Sequence, residues 1–531
     1  MATIRFLEKE PVLRLIILGF LFVAAFCLRL YGIDRLPMGF DPLREYHGAL
    51  LARGFYEWLL TGELSTVPPD GIIEPPILEL VTSSAYLIFG GEHLWIPRLL
   101  SALFWVVGGV FLYLTAKKIS SPNAATFSLF FYLFVPYGVL ASRAFMPDPL
   151  MVMLLMVSIF TLVRYHEQPS TRRLIVAAAI SSLAIFVKPG ICLFQIFGAF
   201  VSLTVYRQGV RRSLTNPHLL MFTVLSIIPT GLYGLYGTLL AGFLQKQVSQ
   251  KVAPQLLLTA SFWDGWLYSV WVVIGYVALL GALVGVLLLH KGLPRALMIG
   301  LWGGYFLFGV AFAHHVATVA YYSLQLIPLV ALSLGPIADL IMKCLSQTVN
   351  LYRVGQLGLR GYGRAIVVLG LSISLLVLSA TGNRQPTDWM IAQQSHAASY
   401  VASSQEIGKV VKHSHSTISL FGGYITNAYS REPNYTYALM YHGQLSGYIW
   451  PYPSRSGTPR EQNSAERKLF SRRYSKRSPE YFIISKGWWP RAETRGLKAF
   501  LINKFPIAAQ GDTYIVFDLR KARVVPSRNN A

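Results

Sequence analysis

Two carboxylates carry the strongest chemical signal in this chain. Asp41 lies in "GFDPLREYHGALLARGFYEW", residues 39–58, and Asp148 in "SRAFMPDPLM", residues 142–151. Cations recur in comparable places: Arg44, Arg98, Arg143, Lys188, His314 and His315. Carboxylates beside Arg and Lys suit a reaction in which a hydroxyl loses a proton while a phosphate leaves. Taken singly, each acid also reads as a helix cap or an interface anchor. What favours chemistry is that both acids and these cations share one face of a membrane, and that follows from the elements that carry them.

The chain has 531 residues, of which 53% are hydrophobic and 13% charged, and its mean hydropathy is +0.47. A soluble chain carries about 25% charged residues. The deficit and the repeated long apolar runs predict an α-helical polytopic membrane protein. Strand-length alternation is not the pattern, which excludes an outer-membrane barrel. About eleven spans are expected, near 12–31, 94–116, 123–142, 149–164, 174–187, 190–206, 217–240, 266–290, 295–313, 320–342 and 364–381. Segment 77–90 is apolar but too short to cross, and reads as a helix at the interface. The first run, Val12–Tyr31, ends without a small-residue cleavage site and reads as a retained span.

With a cytoplasmic N-terminus the inner connections are "AKKISSPN", "RYHEQPSTRR", "YRQGVRR", "HKGLPR" and 343–363, all basic. The positive-inside rule then sets Asp41 and Asp148 on the outer, extracytoplasmic face, as in a bacterial inner or plasma membrane. It also explains much of the net charge of +23 without nucleic acid, for which no zinc-finger, zipper or RNP signature is present. Cys27, Cys192 and Cys344 have no metal-ligand spacing. No P-loop and no Gly-rich strand–helix turn offers a nucleotide site, so no nucleotide cofactor is expected. The chain thus divides into a membrane domain, 1–381, with a first outer loop at 32–93, and an outer domain, 382–531. The tail holds 21 Lys and Arg against 9 Asp and Glu. Its strand-like runs "TISLF", "EYFIIS" and "TYIVFDL" alternate with helix-like 390–404 and 494–503, which predicts a small α/β domain. The basic cluster "ERKLFSRRYSKR" suits anionic headgroups or glycans, or is simply a solvated surface.

The order of these features resembles the GT-C superfamily of membrane glycosyltransferases, in particular the group of protein O-mannosyltransferases and lipid A aminoarabinose transferases. The matching elements are the Asp of "GFDPLREYHGALLARG", the Pro-Pro of "EPPILEL", the "PRLLSALFWVVGGV" start of a span, the Ser-Arg-x-x-x-x-Asp of "SRAFMPDPLM", and the His/Tyr turn of "AHHVATVAYYSLQLIPLVAL". They cover roughly residues 10 to 340. The chain departs from the family at Pro42, where Glu often follows the first Asp, and at Glu74, where Lys or His usually precedes Pro-Pro. The resemblance implies a donor sugar on a polyprenyl phosphate, inverting transfer to an acceptor hydroxyl, and Asp41 as base. A single inverting attack needs one base. Asp148 is implied as a second catalytic carboxylate, orienting acceptor or cation. Arg44, Glu45, Tyr46, Arg98, Arg143, Lys188, His314, His315, Tyr321 and Tyr322 are implied as substrate contacts. A divalent cation, Mg²⁺ or Mn²⁺, on Asp41 and Asp148 is left open. The acceptor, whether protein, lipid or glycan, is not legible.

Within 39–58, a helix from Pro42 puts Arg44 and His47 on one face, with Leu50, Leu51, Phe55 and Leu59 forming a side that lies on the membrane. Adjacent His314 and His315 point in different directions and favour hydrogen bonding or phosphate contact over metal. "KGWWPRAE" lacks the acid of the Trp-Trp-Asp element of oligosaccharyltransferases. The aromatic "YALMYHGQLSGYIWPYP" suits sugar stacking or, more simply, a core. The alternative function is a secondary transporter or lipid flippase, which calls for charges near span midpoints, broken helices and repeat symmetry. A third reading is a membrane scaffold whose outer domain binds a partner.

Overall fold

Proline and glycine set most of the helix boundaries in this chain. The computed structural model describes residues 2–244, 254–351, 384–422, 435–450, 478–491 and 494–521, apart from 38, 65, 69 and 70, together with 370, 373–375 and 377. The helices of the N-terminal two-thirds are α1 (Ala2–Leu30), α2 (Pro42–Thr61), α3 (Ile77–Phe89), α4 (Trp95–Ile119), α5 (Pro122–Phe134), α6 (Pro136–Ala141), α7 (Asp148–Glu167), α8 (Thr171–Val187), α9 (Leu193–Gln208), α10 (Val210–Leu214), α11 (Pro217–Leu235), α12 (Ala260–Ile274), α13 (Tyr276–Leu288), α14 (Leu293–Ala311), α15 (Ala313–Thr318) and α16 (Leu326–Leu351). After them come α17 (Arg384–Val410), β1 (Thr417–Leu420), α18 (Thr436–Gly443), β2 (Gly447–Ile449), β3 (Tyr481–Ser485), α19 (Arg495–Lys504), β4 (Ile507–Gln510) and β5 (Tyr514–Asp518). The contacts divide the chain into two compact units. One comprises Met1–Arg35, Ile73–Leu78 and Trp95–Asp388, and the other Leu36–Ile72, Glu79–Leu94 and Trp389–Ala531.

Among the described residues of the first unit the regular elements are all helices. Among the described residues, α4, α7, α14 and the run Pro217–Leu240 are long and apolar enough to cross a membrane. The expected span 266–290 is instead two helices, α12 and α13, bent by 88°. Gly275 sits between them at φ 75°, a left-handed turn that glycine adopts without a Cβ penalty. The expected span 123–142 is likewise broken. Val135 precedes Pro136 and leaves the helical region at ψ 126°, as the proline ring demands. Pro136 has no N–H for the Tyr132 carbonyl, and at membrane depth such a group must find another donor. The Trp105 indole supplies it at 3.3 Å, while the buried Arg29 guanidinium reaches the Leu133 carbonyl at 2.9 Å and Ser142 Oγ at 2.7 Å. The expected span 364–381 lies largely outside the described residues.

Close packing in this unit relies on small residues, as helix association within lipid requires. A Cβ on Gly300 of α14 would lie 2.2 Å from the Gly198 carbonyl oxygen of α9, and one on Gly304 would lie 2.3 Å from that of Phe194.

Among the described residues the second unit contains a five-stranded mixed sheet in the order β2-β1-β3-β5-β4. β1 runs parallel to β2 and β3, while β5 is antiparallel to β3 and β4. Ile418, Leu420, Phe482, Ile484, Ile515 and Phe517 join Leu497 and Leu501 of α19 in its core. The α/β reading of the tail is thereby borne out, strand for strand at β1, β3 and β5. Trp488 of "KGWWPRAE" is a core residue here and donates its indole N–H to the Gly422 carbonyl at 2.8 Å. The cluster "ERKLFSRRYSKR" lies outside the described residues.

Candidate functional site

The candidate residues fall into two groups, one in each unit. In the first unit, Asp148 opens α7, and Pro149 follows it at a position that suits a first helical turn. Lys188 closes α8 because Pro189 forces it into an extended conformation, φ −141°, ψ 89°. Gly190 then turns the chain at φ +94°, where a Cβ would strike the Phe312 ring at 2.5 Å. The result is an ion pair: Lys188 Nζ donates to Asp148 Oδ1 at 2.6 Å, with the two side chains 2% and 1% exposed. The Tyr321 and Tyr322 rings, on a short 3-10 turn at Ala320–Ser323, each have their centroid 4.9 Å from the same ammonium. That turn is braced by Tyr305, whose hydroxyl is 3.0 Å from Ser323 Oγ and accepts the Trp266 N–H at 3.1 Å.

The remaining cations of this unit differ in what they do. His315 packs its ring 4.8 Å from that of Tyr322, whereas His314 is exposed beside it, rings 5.5 Å apart. Arg98 is a clamp: Nε donates to the Arg143 carbonyl at 2.9 Å and Nη1 to that of Ile33 at 2.6 Å, with Arg35 also engaged. Arg143 in turn donates to the Tyr31 carbonyl. Arg29, which sequence reasoning missed, is wholly buried. Its one legible signal was an arginine at the end of an apolar run.

In the second unit, Asp41 caps α2. Its Oδ1 accepts the Arg44 backbone N–H at 3.0 Å, and Pro42 takes the first turn, a sequence order that favours helix initiation. The cap fixes the direction of the carboxylate. Glu45, Tyr46, Leu50 and Leu51 are all buried, so the first half of α2 is enclosed on several faces. Leu50 and Leu51 were expected on a membrane-facing side, but they lie in the protein interior. Only the last turn, Trp58 to Leu60, is well exposed. A Cβ on Gly54 would lie 2.0 Å from the Thr66 carbonyl oxygen. Gly54→Ala should therefore cost about 1–3 kcal/mol as overpacking against backbone, read as a lower thermal midpoint of the purified protein.

What encloses α2 is α18. The Tyr46 hydroxyl lies 2.7 Å from His442 Nε2, and the His47 ring meets that of Tyr437 edge-on at 5.4 Å. Arg53 Nε donates to both Glu92 oxygens, at 3.1 and 2.9 Å, and Nη1 donates to the Tyr441 carbonyl at 2.9 Å. The Arg53 guanidinium also stands 3.9 Å above the Tyr441 ring, whose hydroxyl donates to Glu92 Oε2 at 3.1 Å. Burial first, then the Glu92 carboxylate, push the Tyr441 hydroxyl above its ordinary pKa, so it stays a donor. The aromatic stretch is a core in this part, the simpler of its two sequence readings. Glu92 and Tyr441 were missed because their partner Arg53 is far away in sequence.

Burial, then the nearby Arg53 charge, lower the His442 pKa from 6.5 to about 4. The unfolded chain therefore takes up a proton that the folded one refuses between those values. Stability from this site is complete above pH 6.5 and is lost as pH falls toward 4. The thermal midpoint of wild type should drop across that window relative to His442→Gln, with the gap closing no further below it.

The Lys188 ammonium takes one oxygen of the Asp148 carboxylate, Oδ1, and the structure itself shows no metal site there. Among the described residues no group of three or more His, Cys, Asp or Glu side chains is placed to hold a metal.

Residues 73–233 match the family model for dolichyl-phosphate-mannose-protein mannosyltransferase. No curated protein matches the sequence. Among solved structures the chain is similar to ArnT from Cupriavidus metallidurans bound to undecaprenyl phosphate, at 14% identity and TM-score 0.55, over 94% of this chain and 98% of that one. It is similar to the archaeal oligosaccharyltransferase AglB from Archaeoglobus fulgidus, solved with an inhibitory peptide and a dolichol-phosphate, at 12% identity and TM-score 0.54, covering 94% and 73%. A structure of the Archaeoglobus fulgidus oligosaccharyltransferase with Zn and sulfate also matches, at 10% identity and TM-score 0.51, covering 89% and 68%. The arabinofuranosyltransferase AftD from Mycobacteria matches at 13% identity and TM-score 0.51, covering 94% of this chain and 41% of that one. The fold is that of the GT-C membrane glycosyltransferases, and the resemblance read from the sequence is borne out.

Proposed function

We propose that this chain is an integral-membrane glycosyltransferase that moves a sugar from a polyprenyl-phosphate donor to an acceptor hydroxyl with inversion. The observation that carries the reading is the buried Lys188 ammonium, paired with Asp148 and faced by two tyrosine rings, within a fold shared with enzymes solved with undecaprenyl phosphate or dolichol-phosphate. A membrane protein keeps such a buried charge only where it has a partner and, commonly, a task. The donor phosphate carries negative charge that grows as the sugar–oxygen bond breaks, and a preorganised cation in a water-poor site stabilises that change.

The reaction balances without further reagents. An acceptor oxygen bonds to the anomeric carbon from the face opposite the phosphate, and the bond from that carbon to the phosphate oxygen breaks. The electron pair leaves with the lipid phosphate, and the acceptor proton passes to a base, the role that the sequence resemblance gives to Asp41. Lys188 meets the phosphate, Asp148 orients Lys188, and Tyr321 and Tyr322 line the ammonium's other side. The distribution of basic loops in the sequence supports an extracytoplasmic position for this chemistry. The charges of a transporter would lie near span midpoints, whereas Asp148 opens one helix and Lys188 closes another.

The test uses purified protein in lipid with radiolabelled polyprenyl-phosphate sugars, with and without chelator. Label passing to an acceptor or to water, with an inverted anomer, is the expected result. The chelator arm decides whether a divalent cation takes part. If the donor is not consumed under any condition, the reading is wrong.

A further inference from the structure

The helix that begins with Asp41 belongs, by its contacts, to the same compact unit as the C-terminal sheet. Tyr46 and Arg53 are seven positions apart on α2, about two turns, and so lie on one face. Both meet the end of a single short helix, α18, almost 400 residues later in the chain: Tyr46 through His442, and Arg53 through the carbonyl and ring of Tyr441. Glu92 closes the cluster by taking both Arg53 and the Tyr441 hydroxyl. Side-chain exposure is 13% for Arg53 and 24% for Glu92, so these bonds are only weakly screened, and the two-point arginine–carboxylate contact adds direction as well as strength. α18 is itself held firmly. His413 Nδ1 is 2.9 Å from the Gly443 carbonyl, and a Cβ on Gly408 of α17 would lie 2.2 Å from that oxygen.

We propose that α18 is the mount for the Asp41 helix: Tyr441, His442 and the Arg53–Glu92 pair are positioning residues that set the direction of the Asp41 carboxylate. They govern turnover rather than donor affinity. The inference rests on the reading of Asp41 as base. None of these residues lies within the first turn of α2, so none needs to touch substrate to act. A carboxylate that must reach a proton within hydrogen-bond distance tolerates little displacement, and an error of about 1 Å costs on the order of 100-fold. The C-terminal domain then serves catalysis by holding the base in place.

The experiment compares wild type, Glu92→Gln and Tyr441→Phe as full-length protein in lipid, each first shown to be monodisperse. Two readouts are taken: kcat and KM with a radiolabelled polyprenyl-phosphate sugar, and amide hydrogen exchange over residues 41–50. The expected result is a kcat lowered about 10- to 100-fold, a donor KM within about twofold of wild type, and faster exchange at the start of α2. The milder Tyr441→Phe, which keeps the ring beneath Arg53, carries the test if Glu92→Gln does not fold. Unchanged exchange overturns the mount, and faster exchange with unchanged kcat overturns its control of turnover. If wild type consumes no donor, the functional reading fails, and exchange alone still decides whether α18 holds the helix.

Discussion

Asp41→Asn is expected to lower sugar transfer by about 10²- to 10⁴-fold, the range that a positioned general base contributes, while leaving folding nearly unchanged. The second half of that expectation follows from the cap. Asp41 Oδ1 accepts the Arg44 N–H, and Asn is as good an N-cap as Asp, so its carbonyl oxygen can keep the bond. The substitution therefore removes a proton acceptor without removing the start of α2. Asp41→Ala should differ: it loses both the base and the cap, and should cost a further ~1 kcal/mol of stability. Measuring kcat and thermal midpoint on all three proteins separates the roles. If Asp41→Asn turns over donor at the wild-type rate with the cap intact, Asp41 is a structural residue only and the base must be sought elsewhere.

The parts of this architecture that were legible in the sequence are those written in short-range patterns. β1, β3 and β5 announced themselves as β-branched and aromatic runs of four to five residues, and α8 ended at Lys188 because Pro189 stands next to it. Asp41 and Asp148 could be picked out because they are acids at the boundaries of apolar runs. The edge strands were not legible: β2 has only three residues, and β4 is largely exposed, so neither shows a buried alternation. The 88° turn at Gly275 was hidden inside a run that reads as continuous, since a single glycine in an apolar stretch is equally at home in an unbroken helix. Least legible was the setting of α2. Its composition suggested one face on lipid, but the partner that buries Tyr46 lies 396 positions away. No periodicity within residues 39–58 encodes that contact.

The Asp148–Lys188 pair should behave differently from Asp41, because stability and activity are joined there and can be separated. Lys188→Met leaves a buried carboxylate without its cation, and breaking a buried pair in this way typically costs about 3–5 kcal/mol. Asp148→Asn alone strands the ammonium, although the faces of Tyr321 and Tyr322, 4.9 Å away, offer it partial compensation, so its loss should be the smaller of the two. The double substitution Asp148→Asn with Lys188→Met removes both charges, and replacing a buried pair by neutral side chains is often close to neutral for folding. The expected pattern of thermal midpoints is thus a large drop for Lys188→Met, a smaller one for Asp148→Asn, and recovery toward wild type in the double variant. Activity should not follow that pattern. If Lys188 meets the departing phosphate, the double variant stays inactive however stable it becomes, since a restored fold does not restore the cation. A stable double variant with wild-type transfer would show that the pair holds α7 to α8 and nothing more, and phosphate stabilisation would have to come from another cation of the same unit, with His315, whose ring lies 4.8 Å from that of Tyr322, the first to examine.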